Sequence, residues 1–175
     1  MKYCIILLAL ILYSCSKTFD DYGYYGEGSA MLNNLIFEGK TKTVYNVGFC
    51  YPDSCLAIII NNNYGIGLKQ GDILINFLPR KIGKFELRPE VSEVSDHLYQ
   101  FSYWVMNGDE FIGSYHIYDK DTSNWVIINK LNFKTGEVSG SFQAKVERDP
   151  YWQSLGYPLD TIIFKNGKFY GKVNK

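Results

Sequence analysis

The sequence predicts an all-β domain, an antiparallel meander of about ten strands that forms a sandwich or a partly open barrel. Three observations carry this. Apolar and polar residues alternate at a period of two: Phe101, Tyr103 and Val105 oppose Gln100, Ser102 and Trp104, and Phe142, Ala144 and Val146 oppose Gln143, Lys145 and Glu147. Asn107-Gly108 and Asn166-Gly167 supply residues that accept the positive φ angles of tight hairpin turns. No interior segment repeats apolar residues at helical spacing over three turns.

The elements follow in order. Met1 and Lys2 form a short positive end, and Cys4 to Leu12 are continuously apolar. A bilayer-spanning helix needs roughly 20 such residues, whereas the core of a secretory signal needs roughly 7 to 15. Residues 1–14 therefore read as an export signal. Leu12-Tyr13-Ser14-Cys15 resembles a lipobox: an aliphatic residue, a tolerant position here filled by a bulky tyrosine, a small residue, and the cysteine that is acylated. Lipidation at Cys15, with palmitate among the acyl chains, would moor the chain to a membrane, since each buried methylene contributes about 0.8 kcal/mol. Residues 15–28 read as the lipidated cysteine and a flexible tether, without period and with glycines at 23, 26 and 28.

A single β domain is expected over 29–175. Its strand-like runs lie near Val44 to Phe49, Leu56 to Asn61, Ile73 to Leu78 and Lys84 to Arg88. Hairpins are expected over Tyr99 to Ile117, over Val126 to Val146 with Gly136 at the left-handed position of its turn, and over Thr161 to Val173 with the turn at Asn166-Gly167. Cys55 to Ile60 and Trp125 to Ile128 are apolar on both sides, which favours strands covered on both faces. A meander of this length hides its edges by closing or by packing as two sheets. No self-similarity at about 40 residues points to a propeller.

Cys50 and Cys55 flank Tyr-Pro-Asp-Ser. In an exported chain such a pair reads as a disulfide pinning two strands across a turn. Its short loop limits the gain to less than the roughly 3 kcal/mol of a 15-residue loop.

Gly-Lys-Phe-Glu-Leu (83–87), Leu-Asn-Phe-Lys-Thr-Gly-Glu-Val-Ser-Gly-Ser-Phe-Gln-Ala (131–144) and Ile-Ile-Phe-Lys-Asn-Gly-Lys-Phe (162–169) resemble a family of Bacteroidota outer-membrane lipoproteins of unknown function. Those motifs are strand and turn motifs. The resemblance implies an all-β domain lipid-anchored at the outer membrane, on its periplasmic or cell-surface face, and implies no activity. The cysteine pair and the stretch from Glu147 to Pro158 fall outside the pattern.

The chemistry that remains is sparse. With 18 basic and 18 acidic residues and no basic block, the chain lacks the electrostatic footprint of a nucleic-acid binder. It has no Gly-x-Ser-x-Gly elbow, no phosphate-binding loop and no His-Glu-x-x-His, so no enzyme, cofactor or metal is expected. Asp119 to Asn124 begins like a calcium loop, but Asn124 and Lys130 stand where glycine and glutamate are needed. His97 and His116 read as structural strand residues.

Aromatic residues outside the strands are the unusual feature. Tyr151, Trp152 and Tyr157 crowd the one long loop, and exposed rings with a polar tip suit a sugar face or a protein partner. The expectation is a non-catalytic binding or interaction module for a glycan or an envelope protein. Its rivals are a lipocalin-like carrier of a small apolar ligand and a hydrolase built from Asp109, Glu110 and Asp160. The oligomeric state is not legible.

Overall fold

A computed structural model describes residues 26–46, 55–62, 70–89, 100–107, 110–118, 123–151 and 159–173. Ten strands follow one another: β1 (Glu27–Leu32), β2 (Leu35–Asn46), β3 (Cys55–Asn62), β4 (Gly71–Leu78), β5 (Gly83–Glu86), β6 (Gln100–Asn107), β7 (Glu110–His116), β8 (Trp125–Leu131), β9 (Glu137–Arg148) and β10 (Thr161–Lys172). The described residues contain no α-helix.

The strands form one antiparallel sheet in the order β10-β1-β2-β3-β4-β6-β7-β9-β8-β5, and β10 also pairs with β9. Following the hydrogen bonds from β10 through β1, β2, β3, β4, β6, β7 and β9 returns to β10, so eight strands make a ring. The ring has a weak seam. β7 meets β9 only at Tyr115↔Arg148 and His116↔Glu147, because β9 gives much of that edge to β8, from Leu131↔Val138 to Trp125↔Gln143. β8 carries β5 on its far side, and the result is a partly open barrel, one of the two architectures that the sequence allows.

An eight-stranded ring leaves an interior about wide enough for its own side chains, and this one is filled with rings. Phe37, Phe101, Tyr103, Tyr115, Phe142 and Phe164 are all buried. Phe164 stands at their centre, with ring centroids 5.2 Å from Tyr103, 5.3 Å from Phe101 and 6.4 Å from Phe37. The period-two reading holds residue by residue: Phe101, Tyr103 and Val105 point inward, as do Phe142, Ala144 and Val146. Gly140 stands on that inward row of β9, where a Cβ would lie 2.0 Å from the Ile127 carbonyl oxygen and 2.5 Å from Phe169. Any larger residue there pushes β8 or Phe169 aside.

Four details depart from the sequence reading. Asn166-Gly167 makes no hairpin: β10 runs unbroken from Thr161 to Lys172. Asn166 does adopt a positive φ of 53°, but it serves a bulge, where the register with β9 shifts between Phe164 and Gly167. β10 has a partner on each side, and a reversal there would abandon both. The first hairpin, β1–β2, was not legible. It turns at Asn33 and Asn34, both at positive φ (46° and 67°), and Asn33 ties the turn to β10 by accepting the Ile163 N–H at 2.8 Å. β1 begins at Glu27, two residues ahead of the expected boundary at 29. Finally, the chain is not a simple meander, because β4 pairs with β6 while β5 leaves to join β8.

The β6–β7 and β8–β9 hairpins form as expected, with Gly136 at φ 77° in the second. There Asn132 Oδ1 accepts the backbone N–H groups of Lys134 and Thr135. The export signal, Cys15, nearly all of the tether, Cys50, His97, Asp109, Trp152 and Tyr157 lie outside the described residues.

Candidate functional site

The outward row of β6, Gln100, Ser102 and Trp104, is the polar side of the alternation that placed Phe101 and Tyr103 in the core. Antiparallel register sets Asn76 beside Gln100, Leu74 beside Ser102 and Asp72 beside Trp104 from β4, and His116 beside Ser102 from β7. Arg88, just after β5, reaches the same place. Together Leu74, Asn76, Arg88, Gln100, Ser102, Trp104 and His116 line a cleft of about 140 Å³, below the roughly 300–1,000 Å³ of drug-sized pockets. One ring of a longer molecule suits that size.

Trp104 is 41 % exposed, and its indole meets the Phe111 ring edge-on at 6.3 Å and 86°. That contact packs the indole against β7. Two lining residues stand beside acids: Arg88 lies 3.7 Å from Glu86, and His116 Nε2 lies 4.0 Å from Asp149 Oδ2. Burial pushes the Asp72 carboxyl above the usual aspartate range, opposed by a hydrogen bond donated by Asn61.

Of the loop aromatics expected to bind, the described residues include Tyr151. It is 81 % exposed, and its backbone N–H donates to Asp149 Oδ1 at 2.9 Å. Since Asp149 approaches His116, the Tyr151 turn borders the Trp104 cleft. The turn is held from beneath. Arg148 continues the inward row of β9 after Val146 and is buried, with its guanidinium 5.9 Å from the Tyr115 ring centroid. Arg148 Nη2 and the Tyr115 hydroxyl both donate to the Leu159 carbonyl oxygen, at 2.9 Å and 3.0 Å. Sequence reasoning missed Arg148, although the alternation 142, 144, 146, 148 carries the signal: an inward arginine must find buried acceptors.

Of the acids proposed for hydrolysis, the two described ones, Glu110 and Asp160, are not brought together. Arg148 stands opposite Tyr115 and its N–H bonds the Asp160 carbonyl, whereas Glu110 lies five residues along β7 from Tyr115, about 17 Å of strand. Glycosidase carboxylates stand roughly 5–9.5 Å apart. Asn124, in the calcium-like segment, is a buried strut: its Oδ1 accepts the Lys145 N–H at 2.7 Å and its carbonyl accepts the Leu87 N–H at 3.0 Å. Among the described residues no three His, Cys, Asp or Glu side chains group as metal ligands, and no helix is long and apolar enough to cross a membrane. No family model, curated protein or solved structure matches the chain.

Proposed function

We propose that the chain is a lipid-anchored envelope lipoprotein whose β domain is a non-catalytic recognition module, binding an uncharged sugar ring of a glycan at the Trp104 cleft with Tyr151 at its border. The observation that carries this reading is the exposed indole, packed edge-on against Phe111 and lining one cleft with Asn76, Gln100 and Ser102. An aromatic face stacks on the apolar face of a sugar while amide and hydroxyl groups exchange hydrogen bonds with its hydroxyls. Arg88 already stands beside Glu86, and the remaining polar groups of the lining are mostly amides and a hydroxyl, which favours a neutral polyhydroxyl ligand. The ring-filled interior supports surface recognition over carriage of an apolar ligand inside the barrel.

A glycan array with the wild-type chain and with Trp104→Ala and Tyr151→Ala tests the reading. Retained binding by both variants, or a blank array, refutes it. Trp104 is half in solvent, so its removal should leave the fold intact.

The anchoring part of the proposal rests on the lipobox-like Leu12-Tyr13-Ser14-Cys15 and places the module at the outer membrane. Metabolic palmitate labelling that is absent from the wild type, or that survives Cys15→Ala, overturns it. The Cys50–Cys55 disulfide is part of the same proposal, supported by the burial of Cys55 at the start of β3. A mass of the unreduced protein showing both thiols free removes it.

A further inference from the structure

Three turns and termini converge at one end of the barrel. β1 begins there, with Glu27 opposite Tyr170 near the end of β10. The Val173 N–H, just beyond β10, donates to the Gly136 carbonyl at 2.8 Å, which brings in the β8–β9 turn. β5 pairs with β8 from Gly83↔Ile128 onward, so residues 79–82, leading into β5, run beside the last residues of β8. This end therefore gathers the point where the N-terminal tether enters, the 132–136 turn, and the 79–82 segment.

Its surface is apolar and basic. Ile82 is 61 % exposed and Phe133 51 % exposed. The Arg80 guanidinium lies 5.0 Å from the centre of the Phe133 ring, and Lys81, Lys134 and Lys172 are exposed around them. The described acids nearby are engaged: Glu137 pairs with Lys130 at 2.7 Å, and Glu27 lies 3.9 Å from Lys40. Asp149 and Asp160 stand at the opposite ends of the twelve-residue β9 and β10. Among the described residues the charge is thus polarised along the strands, with the basic pole where the tether joins.

We infer that this end is a membrane-docking face, on which Ile82 and Phe133 dip into the headgroup region of an anionic leaflet while Arg80, Lys81, Lys134 and Lys172 contact lipid phosphates. The inference rests on the anchoring proposed above. Cys15 lies eleven positions ahead of Gly26, at most about 38 Å of chain, so an acyl chain on Cys15 holds this face within reach of the leaflet. Basic residues near such a surface each add attraction, and apolar side chains add insertion. Docking by this face also holds Asp149 and Tyr151, at the far end of β9, away from the lipid.

The test uses the full chain carrying Cys15→Ser, so that no acyl chain contributes, in cosedimentation with phosphatidylcholine vesicles with and without phosphatidylglycerol. Affinity for the anionic vesicles should fall at least about tenfold in Lys81→Glu/Lys134→Glu, and also in Phe133→Ser. Lys165→Glu, on the side of the barrel, should change it little. Affinity for the neutral vesicles should not respond to the charge reversals. Circular dichroism verifies that each variant folds, and Lys81→Gln/Lys134→Gln replaces the reversal if it does not. Equal loss in Lys165→Glu would reduce the effect to net charge and overturn the docking face, as would undiminished binding by the double variant. Missing acyl label on wild-type Cys15 alongside intact, Lys81- and Phe133-dependent vesicle binding would sink the anchor and leave this face standing.

Discussion

Replacing Phe164 by alanine tests whether the barrel is solid. Phe164 is fully buried and its ring contacts those of Phe37, Phe101 and Tyr103. A buried Phe→Ala change costs about 3–5 kcal/mol, and aromatic pairing adds about 0.5–1.5 kcal/mol per pair beyond area burial. Because measured truncation costs already include lost ring contacts, a loss at the upper end of the truncation range, about 4–5 kcal/mol, is expected. With a urea dependence of about 2 kcal/mol per molar, the unfolding midpoint should fall by about 2 M, or the variant should fail to fold if its total stability lies near 5 kcal/mol. The matched control is Phe133→Ala, half exposed, which should shift the midpoint by less than about 0.3 M, the equivalent of roughly 0.5 kcal/mol. A cost below about 1 kcal/mol for Phe164→Ala would mean that the interior yields easily, and the argument against an internal apolar ligand would fail with it.

Gly140→Ala should cost about 2–3 kcal/mol, because the new methyl group overlaps the Ile127 carbonyl and the Phe169 ring; a melting temperature unchanged rather than about 5–10 °C lower would show that β8 moves freely. Asp72 gives a pH signature. Its carboxyl is raised by burial, so the folded chain keeps a proton that the unfolded chain releases, and stability should fall as pH rises from about 3.9 through the raised value. In Asp72→Asn that slope should vanish; an identical pH profile of denaturation refutes the assignment. Tyr115→Phe removes one donor to the Leu159 carbonyl and should cost about 0.5–1.5 kcal/mol, with faster amide exchange at Asp160 and Thr161 than in the wild type.

The barrel wall was legible because its signal is local. The rows Phe101, Tyr103, Val105 and Phe142, Ala144, Val146 face inward as any period-two strand with one covered face must. Turns were harder. Asn33, Asn34 and Asn166 hold the same left-handed conformation, yet the first two reverse the chain and the third serves a bulge within a strand, and only the neighbouring strands decide which. The cleft was not legible at all. Trp104, Arg88 and His116 come from three segments, and only the β4–β6–β7 register and the departure of β5 bring them to one place. Arg148 lay in plain view within the alternation but was overlooked because an inward charge contradicts the rule that reveals the row.

The pairing of β1 with β10 sets a condition on how the molecule matures. Glu27 meets Tyr170, so the ring gains its final strand only after nearly the whole domain has been synthesised, and contacts this distant in sequence form slowly. Until then β1 and β9 present bare edges open to mispairing. Stalled or truncated products lacking β10 should therefore be its most aggregation-prone forms.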